Sequence, residues 1–129
     1  MVLLLRRKQY EGVRVTFEDN LIDIILTEMG NKEPGKDREV LLHISPSDRT
    51  DGIEALLREN EELDMQRTMD SLYYPVPLKI ILIHETYPKK QSVLLGFDAP
   101  KEQVNILRAL YNEDYSFLGY QAKNLRPKQ

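Results

Sequence analysis

Cationic side chains cluster at the end of an apolar N-terminal run. Arg6, Arg7 and Lys8 follow directly on Met1 to Leu5. Arginine and lysine side chains bind anionic groups, so this triplet is a candidate ligand site. The triplet also has a plainer interpretation, because charges at a strand end discourage edge-to-edge aggregation.

Other reactive side chains do not combine into a recognisable catalytic or metal site. His43 and His84 are isolated, with no second histidine or carboxylate at a ligand spacing, so no metal site is expected. The chain has no cysteine, which excludes disulfides and thiolate nucleophiles. It also lacks a glycine-rich phosphate loop, a nucleophile elbow and a zinc-helix motif. The sequence therefore predicts a binding protein without a cofactor, not an enzyme.

Composition favours one ordinary domain. The 129 residues are 41% hydrophobic and 30% charged, with a net charge of −3. No apolar run reaches 18 residues, and Arg6 interrupts the first one, so we expect neither a membrane span nor a secretory signal but a cytoplasmic protein. Residues 1–61 hold 9 basic and 13 acidic side chains (net −4), and residues 62–129 hold 9 and 8 (net +1). Any anion site should therefore be local.

Stretches rich in valine, isoleucine and leucine predict a mainly β fold with short helices. The predicted strands of the first half are Val2–Arg7, Gly12–Phe17, Leu21–Thr27 and Glu39–Ile44. An amphipathic helix is predicted from Thr50 or Asp51 to about Asn60, because Ile53, Leu56 and Leu57 recur at helical spacing.

The second half repeats this order of elements. Lys79–Leu82 echoes Asp23–Leu26, Val93–Leu95 echoes Val40–Leu42, and Pro100 echoes Pro46, at separations of 53 to 56 residues. A second helix is predicted after Pro100, with Val104, Leu107, Leu110 and Tyr111 on one face. The echoes predict two copies of one β-rich unit, 1–60 and 61–114, with 61–77 as the decayed equivalent of the first two strands. Chance recurrence of apolar triplets in a β protein is the alternative.

Two segments resemble the carbon storage regulator (CsrA/RsmA) family of bacterial translational regulators. Ser92 to Glu102 is similar to that family's "VxxGxxAPKE" strand and loop, and Met1 to Arg7 is similar to its first strand. Ordinary members are about half this length and form intertwined homodimers of five-stranded subunits with a C-terminal helix. The resemblance implies a single-chain pseudo-dimer, monomeric in solution, built as one intertwined β-sandwich or barrel with a tail at 115–129.

The resemblance also implies an RNA site. In the family, a leucine and an arginine of the first strand face an arginine of the fifth strand of the other subunit, and the site binds GGA triplets in hairpin loops. The first-strand pair matches Leu4 and Arg6, followed by Arg7. Ungapped counting puts the fifth-strand arginine on Leu107, with Arg108 one place later, so Arg108 would need a bulge to reach the same face. Lys101, in the loop, completes the predicted contacts.

The equivalent site in the second copy carries Asp64 and Gln66 in place of Leu4 and Arg6, with its partner position near Ile53. An aspartate repels phosphate, so we expect this second site to be inactive. In the tail, Tyr115, Phe117 and Leu118 are expected to dock on the core, ahead of a basic end. An RNA-contacting tail is the alternative.

Two functions follow from these observations. The first is an RNA-binding regulator that recognises GGA motifs in an mRNA leader or small RNA. The second is a degenerate relative that no longer binds RNA and instead pairs with another protein, such as an antagonist or an ordinary carbon storage regulator. The first strand and the loop from Ala99 to Glu102 favour RNA, whereas the acidic first half favours the protein module.

Overall fold

A computed structural model describes residues 2–30, 33–46, 52–69 and 76–121 of the chain. Antiparallel strands dominate it, as the hydrophobic patterns predict. The strands are β1 (Val2–Arg7), β2 (Glu11–Phe17), β3 (Asn20–Met29), β4 (Glu39–Pro46), β5 (Ile53–Arg58), β6 (Glu62–Asp64), β7 (Lys79–Leu82), β8 (Val93–Asp98), β9 (Val104–Tyr111) and β10 (Phe117–Tyr120). One helix, α1 (Met65–Met69), follows β6.

The strands form two sheets that exchange elements between the halves of the chain. The four-stranded sheet has the order β1-β8-β7-β6, and the six-stranded sheet has the order β10-β9-β2-β3-β4-β5. Strand β1 thus joins three strands of the second half, while β9 and β10 join four strands of the first half. Within the described residues neither sheet closes into a barrel.

One apolar core lies between the inward faces of the two sheets. Strand alternation sends every second side chain into it. The largest contributors are less than 2% exposed: Ile22, Ile24 and Leu26 from β3, Leu42 and Ile44 from β4, Ile80 and Leu82 from β7, and Phe97 from β8. Because both sheets supply this core, neither half of the chain buries its apolar surface alone.

The predicted strand-turn-strand echoes are present as two hairpins. Strand β3 pairs with β4, with Leu26 opposite Leu42, and β7 pairs with β8, with Leu82 opposite Leu95. The next strands differ, because β5 returns beside β4 whereas β9 crosses to β2 in the other sheet. In the segment 61–77, predicted to hold two decayed strands, the described residues form strand β6 and helix α1, and residues 70–75 lie outside the described part of the chain.

Both predicted helices are wrong. The segment expected to be a helix up to Asn60 is strand β5, in which Ile53 and Leu57 face inward while Leu56 is 57% exposed. Its proposed caps, Thr50 and Asp51, lie outside the described residues. Two apolar residues four positions apart lie on the same face of a strand as well as of a helix, so the spacing does not separate the two. The segment forms a strand because its backbone pairs with the open edge of β4.

The segment after Pro100 is strand β9, which pairs along β2 from Glu11 to Phe17. Leu107, predicted to be core, is 39% exposed on it. Leu118 is also misplaced by the prediction, since it is 60% exposed, whereas Tyr115 and Phe117 do pack on a buried cluster as expected. Among the described residues, no helix has the length and apolar character needed to cross a bilayer.

Candidate nucleic-acid interface

Strand β1 distributes the predicted contact residues over two faces. Leu4 and Arg6 point away from the core, whereas Leu5 and Arg7 are 3% and 4% exposed and point inward. This follows from the two-residue period of a strand, which separates neighbours in sequence onto opposite faces. The predicted first-strand contacts therefore do not share one surface.

Arg6 is anchored at the base of the loop between β7 and β8. Its guanidinium forms a bidentate ion pair with Glu85 and donates to the hydroxyl oxygen of Ser92 at 3.0 Å. The side chains of Arg6 and Glu85 are 34% and 15% exposed, so the pair is partly shielded from water. This arrangement positions the loop and occupies most of the donors of Arg6.

Arg7 is a buried structural cation. Its Nε donates to the carbonyl oxygen of Arg6 at 2.6 Å, and its terminal nitrogens donate to the carbonyl oxygen of Gly12 and to Oε1 of Gln121 at 2.7 Å. Burial lowers the pKa of the Arg7 guanidinium, and the positive charge of Arg108 lowers it further, while Glu11 opposes both. Arg7 therefore ties β1 to the end of β10.

An apolar groove of about 330 Å³ lies between β1 and the paired strands β9 and β10. Arg108 is the one cation in its lining and is exposed there. The groove has apolar side chains along its floor and a guanidinium at its rim. These features suit a planar, anionic ligand. The lining residues are Leu3, Leu5, Ile106, Leu107, Arg108, Tyr120 and Gln121.

The register of β9 decides where Arg108 points. Strand β9 pairs with β2 without a shift, so Arg108 lies opposite Val13 and Leu107 lies opposite Arg14. Val13 is fully buried in the core, so Arg108 shares the inward face and comes to the mouth of the groove. No bulge is needed for Arg108 to face β1.

The structure therefore brings together only part of the predicted set. Arg108 lines the groove, Arg7 is buried within electrostatic reach of Arg108, and Leu4 and Arg6 lie on the outer face of the four-stranded sheet. Lys101 is exposed in the turn between β8 and β9 and does not line the groove. Whether any of these side chains contacts RNA stays a prediction.

Tyr120 is a groove residue that the sequence analysis included only within the tail, as an alternative RNA contact. It is 53% exposed and packs edge-on against Phe117, with ring centroids 5.1 Å apart. Phe117 also carries the Arg14 guanidinium over its ring at 3.6 Å. The three-residue spacing of Phe117 and Tyr120 does not match strand alternation, because the register of β10 shifts between Phe117 and Gly119.

The predicted inactive site lies in a separate, acidic pocket of about 370 Å³. Asp64, Gln66 and Asp98 line it, and Lys79 is its only described cation. The Lys79 Nζ lies 3.6 Å from a carboxylate oxygen of Glu62. Two carboxylates in one lining repel phosphate, and the predicted partner position, Ile53, lies on β5 in the six-stranded sheet and does not line this pocket.

Both histidines have protein partners. The Nδ1 atom of His84 lies 2.5 Å from a carboxylate oxygen of the buried Glu59. His43 stacks on Tyr115 with ring centroids 4.5 Å apart. Across the described parts of the chain, no group of three or more potential ligand side chains is placed to hold a metal ion.

No protein-family model, curated protein or solved structure matches this chain.

Proposed function

We propose that this chain is an RNA-binding translational regulator of the carbon storage regulator type, which acts in the cytoplasm on GGA-containing RNA. The single observation that carries the proposal is the pairing of its two family-like segments. Strand β1 runs antiparallel to β8 over its whole length, with Leu4 opposite Gly96 and Arg6 opposite Leu94. Segments about ninety residues apart in sequence thus form one ladder.

The groove supplies the chemistry that such a regulator needs. Unpaired bases in an RNA loop present planar faces and polar edges, and proteins bind them with aromatic rings and arginine side chains. Tyr120 offers an exposed ring, Arg108 an exposed guanidinium and Gln121 an amide at the same groove. The apolar floor formed by Leu3 and Leu5 favours a base over a free phosphate.

A single-chain pseudo-dimer is part of this proposal. Strand β1 joins the sheet built from the second half of the chain, and β9 and β10 join the sheet built from the first half. A fused, intertwined dimer would have this arrangement. Fusion raises the effective concentration of the two halves, so no second chain is required. Light scattering should give the monomer mass of 15.1 kDa at micromolar concentration, and a stable dimer would contradict the proposal.

Binding is tested by fluorescence anisotropy with a labelled hairpin RNA carrying GGA in its loop. Arg108→Ala should weaken binding by about 1 to 3 kcal/mol, the range for one arginine contact. Arg58→Ala is the matched control, since Arg58 is an exposed arginine on β5, at the far edge of the same sheet. Equal affinity of both variants and the unmodified chain would reject the groove as the RNA site.

Arg6 has a different expected role from Arg108. Because its guanidinium is engaged by Glu85 and Ser92, Arg6→Ala should release the loop that follows β7 and so weaken the binding of an RNA long enough to contact that loop. Glu85→Gln removes the charge partner while keeping Arg6. If Arg6 itself contacts phosphate, Glu85→Gln should strengthen RNA binding, and if Arg6 only positions the loop, both variants should weaken it.

A protein-binding module is the second candidate, favoured by the outer face of the four-stranded sheet. Val2 and Leu4 are 54% and 52% exposed there, beside the side-chain-free position Gly96. Exposed apolar side chains on a sheet face are typical of protein contacts. RNA binding that is insensitive to Arg108→Ala, together with loss of a protein partner on Leu4→Asp, would favour this candidate.

A further inference from the structure

A second cationic surface lies beyond the C-terminal end of β1. It is formed by Lys8 and by the loop of residues 86–91 between β7 and β8, here called the basic loop. A cleft of about 340 Å³ opens between them. Its lining consists of Lys8, Gln9, Met29, Lys90 and Gln91.

Arg38 holds the basic loop in place from beneath. It is 4% exposed, and its guanidinium donates to the carbonyl oxygens of Gly30 (2.8 Å), Lys89 (2.8 Å), Lys90 (3.2 Å) and Ser92 (3.2 Å). Four carbonyl groups directed at one buried cation fix the path of the loop. The side chains of Lys89 and Lys90 are consequently exposed to solvent.

A second anchor acts on the same loop. Arg6 pairs with Glu85 before the loop and donates to the Ser92 hydroxyl after it. The loop is therefore fastened at both ends and along its backbone. A fastened loop loses little conformational entropy when its exposed side chains bind a ligand.

The cleft presents donors and no carboxylate. Lys8 and Lys90 contribute ammonium groups and Gln91 contributes an amide, while the Gln9 amide nitrogen donates to the carbonyl oxygen of Thr27 at 2.9 Å. Among the neighbouring carboxylates, Glu85 pairs with Arg6, Glu11 accepts from the backbone nitrogen of Lys8 at 2.8 Å, and Glu28 precedes Met29 on β3 without lining the cleft. This donor set fits an anion with several oxygen acceptors, such as a phosphodiester.

Tyr87 gives an independent indication of the ligand class. It is 88% exposed, the largest exposure among the large apolar side chains described, so it contributes almost nothing to the core. It is separated from Lys89 by one residue on the anchored loop. An exposed ring next to lysines is typical of surfaces that stack bases while binding the backbone of a single strand.

We propose that Lys8 and the basic loop bind the phosphodiester backbone of single-stranded RNA that flanks the segment held in the groove, with Tyr87 stacking on one of its bases. This inference rests on the proposed function and extends it. Lys8 lies three residues past Leu5 of the groove, about 10 Å along the strand direction. One RNA strand thus reaches both surfaces by following β1.

The test uses three labelled RNAs in anisotropy titrations at several salt concentrations. They are a GGA hairpin with single-stranded extensions on both sides, the same hairpin without extensions, and a twelve-residue oligouridine. The variants are the double substitution Lys8→Ala/Lys90→Ala, Tyr87→Ala and Arg108→Ala. The matched control is Arg58→Ala/Lys79→Ala, which also removes two exposed cations but leaves both surfaces intact.

The double substitution should reduce the salt dependence of binding to the extended hairpin. Its slope of log affinity against log salt should become shallower by about 1.4, since each single-stranded phosphate contact contributes about 0.7. Tyr87→Ala should weaken that RNA about fivefold or more, the loss of one stacked base. The unextended hairpin should bind both variants as it binds the unmodified chain, and the control should leave the slope unchanged.

The outcomes separate this inference from the proposed function. If the extended hairpin binds tightly with an unchanged slope in the double variant, the second surface is rejected while the RNA function stands. If oligouridine binding depends on Lys8 and Lys90 but GGA gives no preference, the surface stands and the proposed GGA specificity is rejected. Absence of binding to all three RNAs overturns both.

Discussion

The outer faces of the two sheets differ in how far other segments of the chain cover them. On the six-stranded sheet, Ile25, Ala109 and Tyr111 are buried because Tyr115 and Phe117, from the last turn and β10, pack over them. On the four-stranded sheet no described segment covers Val2 and Leu4, which are more than half exposed. The strands of both sheets show similar apolar alternation. The two faces differ because Tyr115 and Phe117 cover only the six-stranded sheet.

This comparison indicates where the molecule is structural and where it is available for binding. The covered face carries a satisfied polar network, in which Tyr111 donates to the carbonyl oxygen of Val13 and to Asp23, and Asp23 pairs with Arg14 at 2.8 Å. The uncovered face, the groove and the basic loop all border β1. Strand β1 is therefore the element around which the proposed contacts are arranged.

The largest expected effect comes from the core that both sheets share. Phe97→Ala should lower the free energy of unfolding by about 3 to 5 kcal/mol, because it removes a large side chain that is 1% exposed and leaves a cavity. Urea unfolding followed by circular dichroism measures this. A loss below about 1 kcal/mol would mean that the four-stranded sheet packs only loosely on the six-stranded one.

The next effect concerns the link between β3, β4 and the basic loop. Arg38→Met should cost about 3 kcal/mol of stability, since it leaves the carbonyl oxygen of the buried Ser92 and the partly buried carbonyl oxygens of Gly30 and Lys89 without their donor. Arg58→Ala, which breaks only an exposed pair with Glu39, is the control and should not change stability measurably. Similar unfolding curves for the two variants would refute the anchoring role of Arg38.

A smaller effect is expected on the covered face. Tyr111→Phe should cost about 1 to 2 kcal/mol at neutral pH, because the carbonyl oxygen of Val13 and the carboxylate of Asp23 lose the hydroxyl proton that they share. Burial raises the pKa of the Tyr111 phenol, and the charge of Asp23 raises it further. The folded chain then retains a proton that the unfolded chain releases above about pH 10, so stability falls as the pH rises past that value.

This pH dependence gives the measurement for Tyr111. Urea unfolding at pH 8 and at pH 10.5 should show the difference in stability between the unmodified chain and Tyr111→Phe becoming smaller at the higher pH. A difference that stays constant would mean that the phenol is not protected by the fold.

The smallest effect is expected on the uncovered face. Leu4→Ala should change stability by no more than about 0.5 kcal/mol, as for other surface positions. Leu5→Ala is the adjacent comparison and should cost about 2 to 5 kcal/mol, since Leu5 is 3% exposed. Equal losses for the two leucines would mean that the outer face of the four-stranded sheet is covered in solution.

Most strands were predictable because their patterns are local. Strand β1 has the predicted bounds, Val2–Arg7, and β2, β3 and β4 extend the predictions by one to three residues at their ends. The segments that became β5 and β9 were predicted as helices, since apolar residues at helical spacing also fit one side of a strand. Their strand conformation depends on the open edges of β4 and β2, which no local pattern records.

The candidate sites were predictable only in outline. The sequence analysis selected three arginines as one set of RNA contacts. In the structure they are in three different environments: Arg6 forms an ion pair, Arg7 is buried, and Arg108 lines the groove. Arg38 was not selected, because a lone arginine in a charged turn carries no pattern. Its role arises from carbonyl groups that lie more than fifty residues further along the chain.

The sequence by itself determined a cysteine-free β protein, its strand segments and the cations at the end of β1, because these depend on residue type and on two-residue alternation. Only the tertiary structure decided which strands are neighbours, which arginines are buried and which face stays open. Those outcomes depend on hydrogen bonds and packing between residues far apart in the chain, and local spacing does not encode them.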